Sequence, residues 1–124
     1  MGITPETLKK RTFEFALTTL KKIDHLKKSN ANEIMGRQVM RSATSVGANY
    51  RAACKAKSTA DFINKLKIVE EESDESVYWL ELIKAYNEIN DPNFEALINE
   101  SKELEKIFAA SAITAKNNRN TASK

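Results

Sequence analysis

Cysteine and histidine are almost missing from this chain: Cys54 and His25 are the only examples. One cysteine cannot close an intrachain disulfide, so no oxidising compartment is needed and a cytoplasmic setting is expected. One Cys and one His also fall short of the three or four ligands that a zinc site requires. Three glycines and two prolines are too few for the repeated tight turns of a sandwich or barrel. No apolar run approaches the roughly 18 residues that span a bilayer, and MGITPETLKK lacks the apolar stretch of a secretory signal, so no membrane association is expected. A Gly-rich phosphate loop, a dinucleotide fingerprint and a Ser/Cys-His nucleophile arrangement are absent as well. The expectation is a non-enzyme with no catalytic residues, no cofactor and no metal.

What is present is helix punctuation. Thr4 before Pro5 is a helix start, a capping hydroxyl followed by a proline whose missing N–H costs nothing there. The cluster SNAN breaks the pattern, with Asn30 and Glu33 placed to cap the next helix in capping-box fashion. Ser58 with Asp61 starts a third helix, and Asp91 with Pro92 a fourth. The signals predict helices over about residues 5–28, 31–57, 59–88 and 92–116, with a disordered tail over 117–124. Four long helices with short links in 124 residues make one domain, an all-α, antiparallel up-down-up-down four-helix bundle over residues 1–116.

Charge is unevenly placed. Residues 1–67 hold fourteen Lys/Arg against five Asp/Glu, and residues 68–116 hold four against twelve. Such halves neutralise each other within one fold, offer a basic surface to phosphates, or meet across a subunit contact. On helix two, Met35, Val39, Ser42, Ala43, Val46, Tyr50 and Ala53 form the core stripe. Almost opposite run Arg37, Arg41, Arg51 and Lys55, a basic row that is either a solvated face or a phosphate-binding one. The lysines Lys21, Lys22, Lys27 and Lys28 near the end of helix one extend the candidate nucleic-acid surface. The acidic run EEESDES (residues 70–76) lacks the Glu-x-x-His pattern of bundle metal sites and reads as a solvated face or as a partner for the helix-two arginines.

Some apolar rows exceed what one bundle core needs. Helix three carries Phe62, Leu66, Val69, Ser73, Ser76, Leu80 and Ile83 on its core face, and a second row with Ile68, Trp79, Leu82 and Tyr86. Helix one has Phe13, Leu17 and Leu20 on one side and Leu8, Phe15 and Leu26 on the other. Gly36 and Gly47, eleven residues apart, share a flank of helix two where another backbone comes close, in the same bundle or in a neighbouring subunit. Ile68, Trp79, Leu82, Tyr86, Phe15, Gly36 and Gly47 are the expected subunit interface of a homo-oligomer.

The segments RQVMRSATSVGANYR (37–51), KSTADFINKL (57–66) and YWLEL (78–82), with FEFAL (13–17) upstream, resemble the signature of the protein family related to the 23S ribosomal RNA intervening sequence. That resemblance implies a four-helix bundle assembling as a homopentameric ring with a central channel, without an enzymatic activity. Better-understood relatives serve diversity-generating retroelements as basic pentamers that bind nucleic acid and a reverse transcriptase. The motif residues Arg37, Arg41, Ser42, Ser45, Asn49, Arg51 and Asp61 bring no catalytic role with them. The functional expectation is an oligomeric, RNA-binding accessory protein; the alternative is a protein-binding scaffold whose charged surfaces serve assembly and partner docking.

Overall fold

The computed structural model describes residues 3–122. They form four helices: α1 (Pro5–Asp24), α2 (Asn30–Cys54), α3 (Thr59–Asn87) and α4 (Pro92–Ala122). The fold is all-α, with no strand among the described residues. Each start has a chemical cause. Thr4 and Thr7 exchange side-chain and backbone hydrogen bonds around Pro5. The Ser58 hydroxyl accepts the Asp61 N–H at 3.1 Å, and the Asp91 carboxylate accepts the Asn93 N–H at 2.9 Å. The second cap differs from the expected one: Ser29, in extended conformation, caps α2 by accepting the Asn32 N–H at 3.0 Å.

Helix boundaries shift for similar reasons. α1 ends four residues before the expected Lys28, because the Asn32 side chain takes the Lys27 carbonyl at 2.8 Å and holds the link out of the helix. α3 ends on Glu88 in the left-handed region (φ 54°), where the Ile89 N–H closes back onto the Lys84 carbonyl. α4 corrects the expected tail: beyond Pro92 no proline or glycine interrupts it, and it runs to Ala122. Residues 123–124 of that tail lie outside the described residues.

Each helix packs against its sequence neighbours, and α1 also meets α4, while the diagonal pairs α1/α3 and α2/α4 have no backbone contact. Cross-helix partners run in opposite numerical order: Asn32 meets Asn87, and Ser42 meets Ser76. Between α1 and α4, Lys22 meets Asp91 and Arg11 meets Glu100. The core holds Val39, Val46, Leu66, Val69, Leu80, Ile83, Ile98, Leu104 and Phe108, all essentially sealed from water. Each large side chain among them contributes about 1.5–3 kcal/mol by its burial. Tyr50 reaches across the centre to Phe108, with ring centroids 5.2 Å apart.

Small polar residues occupy the seams. Buried Ser42 and Ser76 hydrogen-bond at 2.8 Å between α2 and α3, and the Ser101 hydroxyl donates to the Ser73 carbonyl at 2.9 Å between α3 and α4. Buried Thr12 and Thr19 return their hydroxyls to the carbonyls one turn back. Every one of these hydroxyls is satisfied, so close approach costs no stranded donor.

Candidate nucleic-acid interface

Two local features position the cations. Along α2, the core stripe turns Arg37, Arg41, Arg51 and Lys55 toward solvent, and all four are exposed. The helical rise places Arg37 and Arg51 about 21 Å apart along the axis. At the other end of α1, the early stop at Asp24 leaves Lys27 and Lys28 on a non-helical link, both exposed. Lys27, Lys28 and Arg37 line a cleft of about 650 Å³ that also holds Asp24 and Glu33. Lys21, Lys22, His25 and Lys27 rim a second of about 620 Å³, floored by Leu26, Ile89 and Phe94. Lys27 is common to both, so the basic surface is densest where α1 hands over to α2.

Arg41 keeps its place in the exposed row but is paired within the chain, unlike its neighbours Arg51 and Lys55. Its Nη1 donates to Glu72 Oε2 at 3.1 Å and its Nη2 to Glu75 Oε2. The Trp79 indole N–H donates to the same Glu75 oxygen at 3.1 Å. Burial alone would raise the Glu75 carboxyl; Arg41 and the indole N–H outweigh it and hold that group below the usual carboxylate range. Glu72 and then Glu75 hold the Arg41 guanidinium more firmly protonated than usual. Glu72 Oε1 is buried without a hydrogen-bond partner, so the two carboxylates depend on this one cation. Part of the acidic run therefore serves as the internal partner of an α2 arginine.

The remaining cations differ in availability. Arg37 pairs with Glu33 on its own helix at 3.1 Å, both side chains largely in water; such pairs contribute only about 0.3–0.5 kcal/mol. Lys22 reaches Asp91 at 3.4 Å. Lys21, Lys27, Lys28, Arg51 and Lys55 have no ion pair among the described residues. The exposed cations thus form two groups, Lys21/Lys27/Lys28/Arg37 and Arg51/Lys55, flanking an Arg41 that is paired within the chain.

Three residues expected at a subunit interface lie inside the protomer. Phe15 is buried in the core beside Leu8, and its place on the surface is taken by Phe13 and Leu17. A Cβ on Gly36 would come 2.9 Å from Ile23 Cγ2, and one on Gly47 would come 3.1 Å from Thr12 Oγ1. Both glycines therefore serve the close passage of α1 over α2. Trp79 is half-buried against the core, whereas Ile68, Leu82 and Tyr86 are exposed.

Much of the signature is structural. Ser42 joins Ser76, the Ser45 hydroxyl donates to the Arg41 carbonyl, and the Asn49 amide donates to the Ser45 carbonyl. Asp61 accepts the Lys57 N–H and pairs with Lys65 at 2.6 Å. Sequence reasoning missed the Asn32–Asn87 pair, in which each amide donates to the other's oxygen at 2.9 Å and clamps α2 to α3 beside the basic end. An asparagine in step with Met35 and Val39 was its only signal. Among the described residues no three His, Cys, Asp or Glu side chains converge as metal ligands, and no helix is long and apolar enough to cross a membrane.

Comparison with known proteins bears on the family and the fold. The family model of the 23S rRNA-intervening sequence protein matches residues 7–110. A solved structure from Bacteroides thetaiotaomicron, a protein of unknown function from the S23 ribosomal protein family, is 36% identical with a TM-score of 0.78. The match covers 89% of this chain and 98% of that one. No curated protein matches.

Proposed function

Because the chain belongs to the 23S rRNA-intervening sequence protein family, we propose that it is a non-enzymatic, cytoplasmic, oligomeric RNA-binding accessory protein. The opposite numerical order of cross-helix partners supports an up-down-up-down bundle. The exposed apolar rows support self-association, with a homopentameric ring as the assembly implied by the family. The observation that carries the RNA reading is the segregation of unpaired cations. Lys21, Lys27, Lys28, Arg51 and Lys55 sit on α1, its link to α2, α2 and the residue that caps it, while the acidic excess lies on α3. Repeating two modest clusters around a ring multiplies phosphate contacts, and the result is backbone and shape recognition.

The test is fluorescence anisotropy of a structured RNA against the protein over a salt series. Log affinity should fall linearly with log salt. Replacing Lys27 and Lys28 together, or Arg51 and Lys55 together, by glutamine should weaken binding and flatten that slope by about one unit per lost contact. Absence of binding at low salt would refute the proposal, as would a slope that no charge substitution changes. Exposed Tyr78 and Tyr86 favour the alternative, a protein-docking scaffold, if RNA does not bind.

A further inference from the structure

The α1–α2 link (25–29) and the α3–α4 link (88–91) lie at the same end of the protein, where Asn32 meets Asn87 and Lys22 meets Asp91. Between them opens the cleft of about 620 Å³ floored by Leu26, Ile89 and Phe94. Phe94 belongs to the core, and Leu26 and Ile89 pack against it while keeping part of their surface in water. The volume falls within the range of about 300–1,000 Å³ usual for small-molecule sites.

Charge on its rim is one-sided. Lys21 and Lys27 are exposed and form no ion pair among the described residues. Asp91 is the one carboxylate lining the cleft, and both of its oxygens are engaged: Oδ1 accepts the Asn93 N–H at 2.9 Å and Oδ2 meets Lys22 Nζ at 3.4 Å. The neighbouring cleft, by contrast, carries both Asp24 and Glu33. The first turn of α4 adds no free amide from Phe94 or Glu95, whose N–H groups both bond the Asp91 carbonyl, so the attraction for an anion comes from the lysines. His25 Nδ1 donates to the Lys21 carbonyl at 2.7 Å, which leaves Nε2 as the ring nitrogen open to a ligand. The Asn87 amide on the lining is also spent: its Oδ1 accepts from Asn32, and its Nδ2 donates to Asn32 Oδ1 and to the Ile83 carbonyl. Phe94 is only 2% exposed and offers no stacking face. An aliphatic floor without a free amide suits a hydrocarbon chain better than a nucleobase.

We propose that this cleft binds a small aliphatic carboxylate, its chain on Leu26 and Ile89 over Phe94 and its head group on the ammonium groups of Lys21 and Lys27. Charge-assisted hydrogen bonds favour the ionised head, and covering Leu26 and Ile89 takes apolar surface out of water. Neither half suffices alone: exposed lysines hold a bare anion weakly, and an uncharged chain leaves the lysine rim without a partner. The site does not depend on RNA binding, although Lys21 and Lys27 are common to both surfaces.

His25 is the only histidine, so its ring resonances report on the cleft directly in a proton NMR titration of the full chain at constant pH. Octanoate should shift them saturably, with a dissociation constant on the order of 1 mM or below. Acetate, the head group without the chain, and octanol, the chain without the charge, should each bind at least about tenfold more weakly. Replacing Lys21 and Lys27 together by glutamine should weaken octanoate by about tenfold or more, the equivalent of one charge-assisted hydrogen bond, at wild-type helicity. Lys28→Gln, which alters only the neighbouring cleft, should bind octanoate like the wild type. No saturable shift with octanoate would overturn the proposal, as would acetate or octanol matching it, or Lys28→Gln losing as much as the double variant. Adenosine monophosphate binding more tightly than octanoate would overturn it in favour of a nucleotide.

Discussion

Replacing Arg41 by glutamine removes the single cation that serves Glu72 and Glu75 while keeping most of the side chain's bulk. Exposed ion pairs are worth about 0.2–1 kcal/mol, whereas breaking a buried one costs about 3–5 kcal/mol. The Arg41 side chain is half exposed, but that of Glu72 is only 17% exposed and one of its oxygens already lacks a partner. The loss should therefore fall between those limits, at about 1–2 kcal/mol near neutral pH. Its pH dependence has a fixed sign. Glu75 is held below its ordinary value in the folded protein, so its contribution is present above the unfolded value and is lost as pH falls through the folded one. The gap between wild type and variant should consequently narrow below about pH 4.3. Urea unfolding at fixed protein concentration, at pH 7 and again at pH 3, measures it. Equal stabilities at pH 7, or a gap that persists unchanged in acid, would refute the reasoning. The same variant should bind RNA like the wild type, because Arg41 is engaged with α3; a fall in affinity matching that of Arg51→Gln would show that the internal pairing does not hold in solution.

Gly47→Ala gains helix propensity of up to about 1 kcal/mol, yet it should still destabilise, by about 1 kcal/mol net. The new methyl would meet Thr12 Oγ1 and Cβ, and that hydroxyl is fixed by its bond to the Leu8 carbonyl, so a variant as stable as wild type in thermal unfolding would contradict the close passage of α1. Glu105→Gln should act in the opposite direction from Arg41→Gln. Burial first, then Asp74 and Glu70, raise the Glu105 carboxyl, with only Lys106 opposing, so ionised Glu105 strains the α3/α4 seam at neutral pH. Its stabilising effect should amount to a fraction of a kcal/mol at pH 7 and disappear as pH falls below about 4.3, where the unfolded carboxyl is also protonated; a variant less stable at pH 7 would contradict it.

The helices were legible in the sequence because their causes are local. A capping hydroxyl at Thr4 or Ser58, a proline at the first turn, and three- and four-residue spacing act over a few residues, and the core stripe of α2 follows from them without a neighbour. The four-helix class and the inward positions of Val39, Val46, Leu66 and Leu80 needed nothing more. Errors arose where a second helix decides. Periodicity groups Leu8 with Phe15 and Phe13 with Leu17, but the choice of which group turns inward belongs to the packing of α1 against α2. Gly36 and Gly47 announced a close approach without naming Ile23 and Thr12 as the residues approached. The arginines shared a row, but only the register of α2 on α3 put Glu72 and Glu75 within reach of Arg41 and of none of the others. The sequence by itself therefore determined which residues share a face, because helical geometry is set by the backbone. The tertiary structure alone decided which charges are neutralised internally and which stay open to a ligand, because that depends on how one helix is rotated and shifted along the next.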